Sequence, residues 1–87
     1  MERSDFLMEV ETFANRIGVK PKEIQLKAMK RKWGSCSSSG RLTFNERLLN
    51  ENESIIREVI VHELLHLRYR RHSKMFKRLM KLYTEQP

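Results

Sequence analysis

The chain is short of several things, and each shortage excludes something. It holds one cysteine, Cys36, in 87 residues. No disulfide can form within it, and a lone thiol suits a reducing compartment such as the cytoplasm. The same scarcity removes the cysteine sets that close most structural zinc sites. No apolar run exceeds a few residues, so no membrane span is expected. The opening stretch "MERSDFLMEVE" mixes acids with apolar residues and lacks the apolar core of a secretory signal. There is no internal repeat and no sign of a second unit, so residues 1–87 are expected to form one domain. Acids also run out: after Glu63 the only one is Glu85.

What is present is an ordinary soluble balance, 39% hydrophobic and 33% charged. A domain of this size buries only about 60% of the surface its unfolded chain exposes, so a metal or a partner would help it fold. The net charge is +7, from 18 Lys and Arg against 11 Asp and Glu. Much of the excess is local: Arg68, Arg70, Arg71, Lys74, Lys77, Arg78 and Lys81 follow His66 with no acid among them. Such a patch attracts nucleic acid or acidic substrates, or is simply a solvated face.

Apolar spacing divides the chain into elements. Residues 4–18 read as a helix, with Ser4 as a cap, Phe6, Leu7, Val10, Phe13, Ala14 and Ile17 inward, and Gly18 as the stop. Residues 24–30 alternate, with Ile24, Leu26 and Ala28 on one side, as a half-buried strand does. "GSCSSSG", 34–40, reads as a loop of small residues. "RLTFN", 41–45, reads as a second strand, and the two strands are expected to pair as an antiparallel hairpin. Helix-start signals follow: Asn50 and Glu53 at capping-box spacing, with Asn52 and Ser54 as further caps. A helix from Ile55 to about Arg70 and a last one from about Ser73 to Tyr83 complete the α+β expectation.

The long helix carries the chemistry. It is apolar almost all round, so it belongs in the domain centre. His62, Glu63 and His66 nevertheless sit within it, and buried groups of that kind are costly without partners. Imidazoles four residues apart share a helix face and can hold one zinc ion together. Glu63 then stands beside the metal's open position, where it can take a proton from an activated water. His62-Glu63-Leu64-Leu65-His66 is the H-E-x-x-H pattern of zinc peptidases. The plainer readings are a chance motif with satisfied core histidines, a structural zinc, and a metal domain without peptidase activity.

A third ligand is needed. Glu85 lies almost at the terminus, whereas His72 has the spacing of the longer H-E-x-x-H-x-x-G-x-x-H pattern, with Tyr69 in place of its glycine. A chain break near Arg70–Arg71 would bring His72 back to the metal. The alternative is a His72 that faces solvent at the start of the last helix.

The combination of Arg31-x-Trp33-Gly34-Ser35-Cys36 with His62-Glu63-x-x-His66-x5-His72-x3-Phe76 resembles the YgjP-like metal-dependent hydrolases, relatives of the SprT-like and WLM proteins. The resemblance covers about residues 10–82. It implies a minimal zincin-like core: an N-terminal helix, a short antiparallel sheet, the zinc helix and a closing helix. It also implies one Zn2+ held by His62, His66 and His72, with Glu63 as general base. Tyr69, Tyr83, Arg31 and Asn45 are candidates for stabilising the oxyanion. Gly34 and Trp33 are expected to anchor the hairpin on the zinc helix, and the loop with the "RLTFN" strand offers an alternative role as a rim for an extended peptide. Cys36 has no Cys-x-x-Cys partner and is not expected to be a ligand or nucleophile. The function expected is Glu-assisted hydrolysis of peptide bonds in a peptide or protein substrate. The alternatives are a protease associated with nucleic acid through the basic face, and a zinc-stabilised binding domain without catalysis.

Overall fold

The computed structural model describes residues 1–85. Its first helix, α1, spans Arg3–Ile17 and buries Phe6, Val10, Phe13, Ala14 and Ile17 as one stripe. Ser4 lies inside the first turn rather than at the cap. The capping position is Glu2, which makes no side-chain cap bond. Gly18 ends the helix at φ 82°, and its N–H reaches the Ala14 carbonyl at 2.8 Å. Only glycine adopts that left-handed turn without steric cost.

Strand β1 is Glu23–Lys27, with Ile24 and Leu26 half-buried. It stops before Ala28, which is exposed instead of continuing the inward face. The larger correction concerns the next segment. Gly34–Cys36, expected as loop, forms strand β2, and Arg41–Asn45 forms β3. The sheet order is β1-β3-β2. β2 and β3 form the antiparallel hairpin, with Ser35 opposite Thr43. β1 instead runs parallel to β3, with Gln25 opposite Thr43. A parallel pair needs a crossover between its strands, and residues 28–40 supply one that contains β2. The small residues of β2 answer to packing, because the helix α2 described next lies against this strand.

A 3-10 turn at Glu46–Asn50, which spacing did not reveal, buries Leu48. It leads into α2, Glu53–His66, where the Asn52 side chain accepts from the Ile55 N–H at 2.9 Å. Helix α2 touches α1, β2 and the last helix α3, Lys74–Glu85. It therefore occupies the middle, as its all-round apolar surface requires. It ends four residues before the expected Arg70, because Leu67 and Arg68 bond back to Leu64 and Leu65 in a tightened turn. Ser73 caps α3, its hydroxyl accepting from the Phe76 N–H at 3.2 Å. Ile56, Ile60, Val61, Leu64 and Leu65 of α2 pack with Leu42 and Phe44 of β3 and the α1 stripe in one cluster. Phe6 meets Phe44 edge-on at 5.2 Å between ring centres. Among the described residues no helix is long and apolar enough to cross a membrane.

Asn45, the last residue of β3, ties the crossover down. It is buried, and its amide donates to the carbonyls of Met29 and Lys32, each at 2.9 Å. Its Oδ1 accepts from the Arg47 N–H at 3.0 Å. Asn45→Ala strips these partners, which costs about 2 kcal/mol or more and lowers Tm by roughly 10 °C. An unchanged thermal midpoint would show that the crossover holds without this amide.

Candidate metal centre

Two features of the local sequence place the site. The first is the apolar surface of α2, which drives it into the centre and carries His62, Glu63 and His66 with it. The second is the early end of α2. Residues 67–73 leave the helix and turn back, and this return brings His72 over the C-terminal turn. His72 Nε2 lies 3.1 Å from His62 Nε2 and 3.0 Å from His66 Nε2. The three ligand atoms all fall within 4.8 Å of one another.

The outer nitrogens fix which atoms face inward. His66 Nδ1 sits 3.0 Å from the Tyr69 carbonyl, which can only accept, so this nitrogen carries the proton. His62 Nδ1 sits 3.1 Å from the Glu63 carboxylate and carries its proton by the same argument. Both Nε2 atoms therefore present lone pairs to each other's side of the cleft and to His72 Nε2. A divalent cation at that point satisfies all three nitrogens together. Ligand nitrogens at the usual zinc distance stand about 3.3 Å apart in a tetrahedral set, close to two of the separations here. The residues thus fit one metal ion, with oriented outer partners of the kind metal-binding histidines use. Reduced water contact holds the His72 imidazole below its ordinary pKa. His66, His62 and Lys77 add to this, against the pull of Glu63. The neutral ring is the form that ligates metal.

Glu63 is buried, 7% exposed, and packs against β2. A Cβ on Gly34 would lie 3.0 Å from Glu63 Cγ and 3.2 Å from the Thr43 carbonyl oxygen. Gly34 is thus needed for this close approach more than for a turn. Phe76 forms the floor. It is 2% exposed, and its ring centre lies 5.4, 4.7 and 4.9 Å from those of His62, His66 and His72. The place of Phe76 in the motif with the three histidines does not reveal that it underlies all three imidazoles.

The remaining candidates are placed variously. Tyr69 is half-buried and contributes its carbonyl to His66. Tyr83 donates its hydroxyl to the Arg16 carbonyl at 3.5 Å, on α1. The polar atoms of Asn45 are occupied by the crossover carbonyls and the Arg47 N–H, and Arg31 is exposed beside Trp33, Asn45 and Arg47. Arg68 is drawn out of the basic face: its guanidinium donates to the Gly18 carbonyl at 2.7 Å and the Ile17 carbonyl at 3.4 Å. Arg71, Lys74, Lys77, Arg78 and Lys81 are exposed. Arg70 lines a cavity of about 290 Å³ with Cys36, Ser37 and His66. Burial and the nearby Glu63 push the Cys36 thiol up, against the pull of Arg70, so it stays protonated. The rim expected from the "RLTFN" strand is corrected. That strand is central and paired on both sides, and β2 is an edge strand of the sheet.

Comparisons with known proteins agree with this architecture. The family described as YgjP-like, metallopeptidase domain, matches residues 2–87. The structure superposes on the metallopeptidase zymogen jannalysin of Methanocaldococcus jannaschii with a TM-score of 0.81, at 24% identity, covering 90% of this chain and 80% of that one. It superposes on the zymogen abylysin of Pyrococcus abyssi with a TM-score of 0.76, at 22% identity, covering 87% and 76%. At those identities the likeness speaks for the fold. No curated protein matches.

Phe76→Leu should keep the core filled while loosening the imidazole floor. The expected result is a folded protein whose zinc affinity, measured by competition with a chelating dye, falls about tenfold, in the range seen when outer supports of metal ligands are changed. An affinity equal to the parent's would make Phe76 a packing residue alone.

Proposed function

The chain belongs to the YgjP-like metallopeptidase family, and from that premise we propose that residues 1–87 act as one zinc-dependent peptidase domain with Glu63 as general base. The carrying observation is the convergence of three imidazole nitrogens beside a buried carboxylate. His62, His66 and His72 would hold the ion through their Nε2 atoms, and the outer partners of His62 and His66 fix the orientation of those two rings. Zinc bound there supplies a Lewis acid that polarises a carbonyl and makes water a stronger acid.

The chain's own residues do the rest. Glu63 is held by the His62 Nδ1–H and by the close wall of Gly34, so its carboxylate cannot swing away from the cleft. From that position it takes the proton of the attacking water and returns it to the leaving amine. Tyr69 orients His66 through its carbonyl. Strand β2 is an edge strand and its Gly34 abuts Glu63, so an extended peptide adding to that edge would run near the base, with backbone bonds setting its register. The substrate class is therefore a peptide or a flexible protein segment.

A second partner class has one observation in its favour. Lys74, Lys77, Arg78 and Lys81 are exposed at helical spacing, so they form one stripe along α3. Duplex DNA titrated at low and moderate salt tests it. Binding that weakens steeply with salt supports nucleic-acid association, and no binding at low salt rules it out.

Two variants test the peptidase reading. Glu63→Gln should bind zinc as the parent does and lose roughly 100-fold or more in hydrolysis of a peptide library. Hydrolysis at the parental rate would remove Glu63 from the reaction. His66→Ala should be purified with little zinc and a lower Tm, because binding energy at such a site is also folding energy. Undiminished zinc content would overturn the ligand assignment.

A further inference from the structure

The histidine cluster has a different neighbour on each side. Beyond His66 lies the cavity bordered by Cys36, Ser37 and Arg70, which is polar. Beyond His62 lies a second cavity, of about 330 Å³, bordered by Trp33, Ile55, Val59, Glu58, His62 and Glu63. Its walls combine one large aromatic face and two branched aliphatic side chains with two carboxylates. The proposed base and one proposed ligand are themselves two of these walls.

Trp33 is the feature that core packing leaves unexplained. It is the only tryptophan in the chain and it is 41% exposed. It was expected to anchor the hairpin on α2, yet it does not join the buried cluster. Ile55 and Val59 are likewise only half-buried, and they lie one helical turn apart on α2, with His62 a further turn along. Concave sites of this make-up, mostly apolar with few polar groups, are where small ligands and side chains bind.

We propose that Trp33, Ile55 and Val59 form a side-chain subsite that seats a neutral branched or aromatic residue of the substrate immediately beside the scissile bond. Burying such a side chain against Trp33 gains apolar contact. The Glu58 and Glu63 carboxylates on the same walls disfavour an acidic side chain there. The subsite gives the peptidase a preference that the metal and Glu63 alone cannot supply, since they act on the peptide group common to every substrate. This inference rests on the peptidase reading for its biological meaning, but it is testable by binding alone.

The test uses zinc-loaded full-length protein and three amino-acid hydroxamates, whose common head chelates the metal and whose side chains differ: glycine, leucine and aspartic acid α-hydroxamate. Affinities are measured by calorimetry, and Trp33 emission is followed in parallel as an internal reporter. Leucine hydroxamate should bind about tenfold or more tightly than the glycine form, in the range expected when an apolar pocket is filled. Aspartic acid hydroxamate should bind no better than glycine, and only the leucine compound should shift Trp33 emission. Trp33→Ala should bring the leucine affinity down to the glycine value while leaving the glycine value unchanged, and Trp33→Leu should restore part of the difference. Equal affinities of the three compounds for the parent, an emission that ignores leucine hydroxamate, or a leucine preference that survives Trp33→Ala would each overturn the subsite. If Trp33→Ala does not fold, the parent's affinity ratios and emission still decide the matter. Because the readout is binding, a failed subsite leaves the peptidase reading untouched. A protein that discriminates the hydroxamates but cleaves no peptide keeps the subsite and loses the peptidase reading.

Discussion

A helix that is itself the middle of the core must carry two imidazoles and a carboxylate, and the other parts of the structure answer to that demand. Burying α2 brings Ile56, Ile60, Val61, Leu64 and Leu65 into the cluster with α1 and β3. The same burial takes Glu63 out of water and half-covers His62 and His66. Polar groups so placed need partners: Glu63 and the His62 Nδ1 partner each other, the Tyr69 carbonyl takes the His66 Nδ1, and the inner nitrogens of both rings converge on His72 Nε2. The inward lone pairs then leave a place that suits a cation.

Two segments outside α2 are shaped by this arrangement. Strand β2 lies against α2, and a side chain at Gly34 would crowd Glu63 and the Thr43 carbonyl. Residues 67–73 leave the helix early, and their return puts His72 over the other two histidines. Arg68, within that return, donates to the carbonyls at the end of α1 and so joins the two helix ends. Phe76, at the start of α3, closes the site from below. The electrostatics follow the geometry: the His72 imidazole is pushed below its ordinary pKa and the Cys36 thiol above its own.

Much of this was legible in the chain as written. The stripe of α1, its glycine stop, the central place of α2 and the His62-Glu63-His66 pattern all follow from local spacing, because a helix repeats faithfully enough to project its faces. The segment 34–40 misled because small residues have two causes, loop flexibility and close packing, and composition does not separate them. The parallel pairing of β1 with β3 was hidden because strand partners are chosen across the chain, and spacing between two strands says nothing of a third placed between them. Asn45 looked like a polar candidate for chemistry and is instead a buried tie for the crossover.

The sequence by itself determined the helix that carries His62, Glu63 and His66 side by side, since three-and-four spacing is a property of one helix. Only the tertiary structure decided how the site is completed: His72 returning through an irregular turn, Phe76 beneath all three rings, Gly34 yielding space to Glu63, and Trp33 left standing at the edge of the cleft. Each of these is a contact between segments far apart in the chain or joined by irregular backbone. Such contacts are set by how the buried faces of several elements fit together, which no single periodicity records.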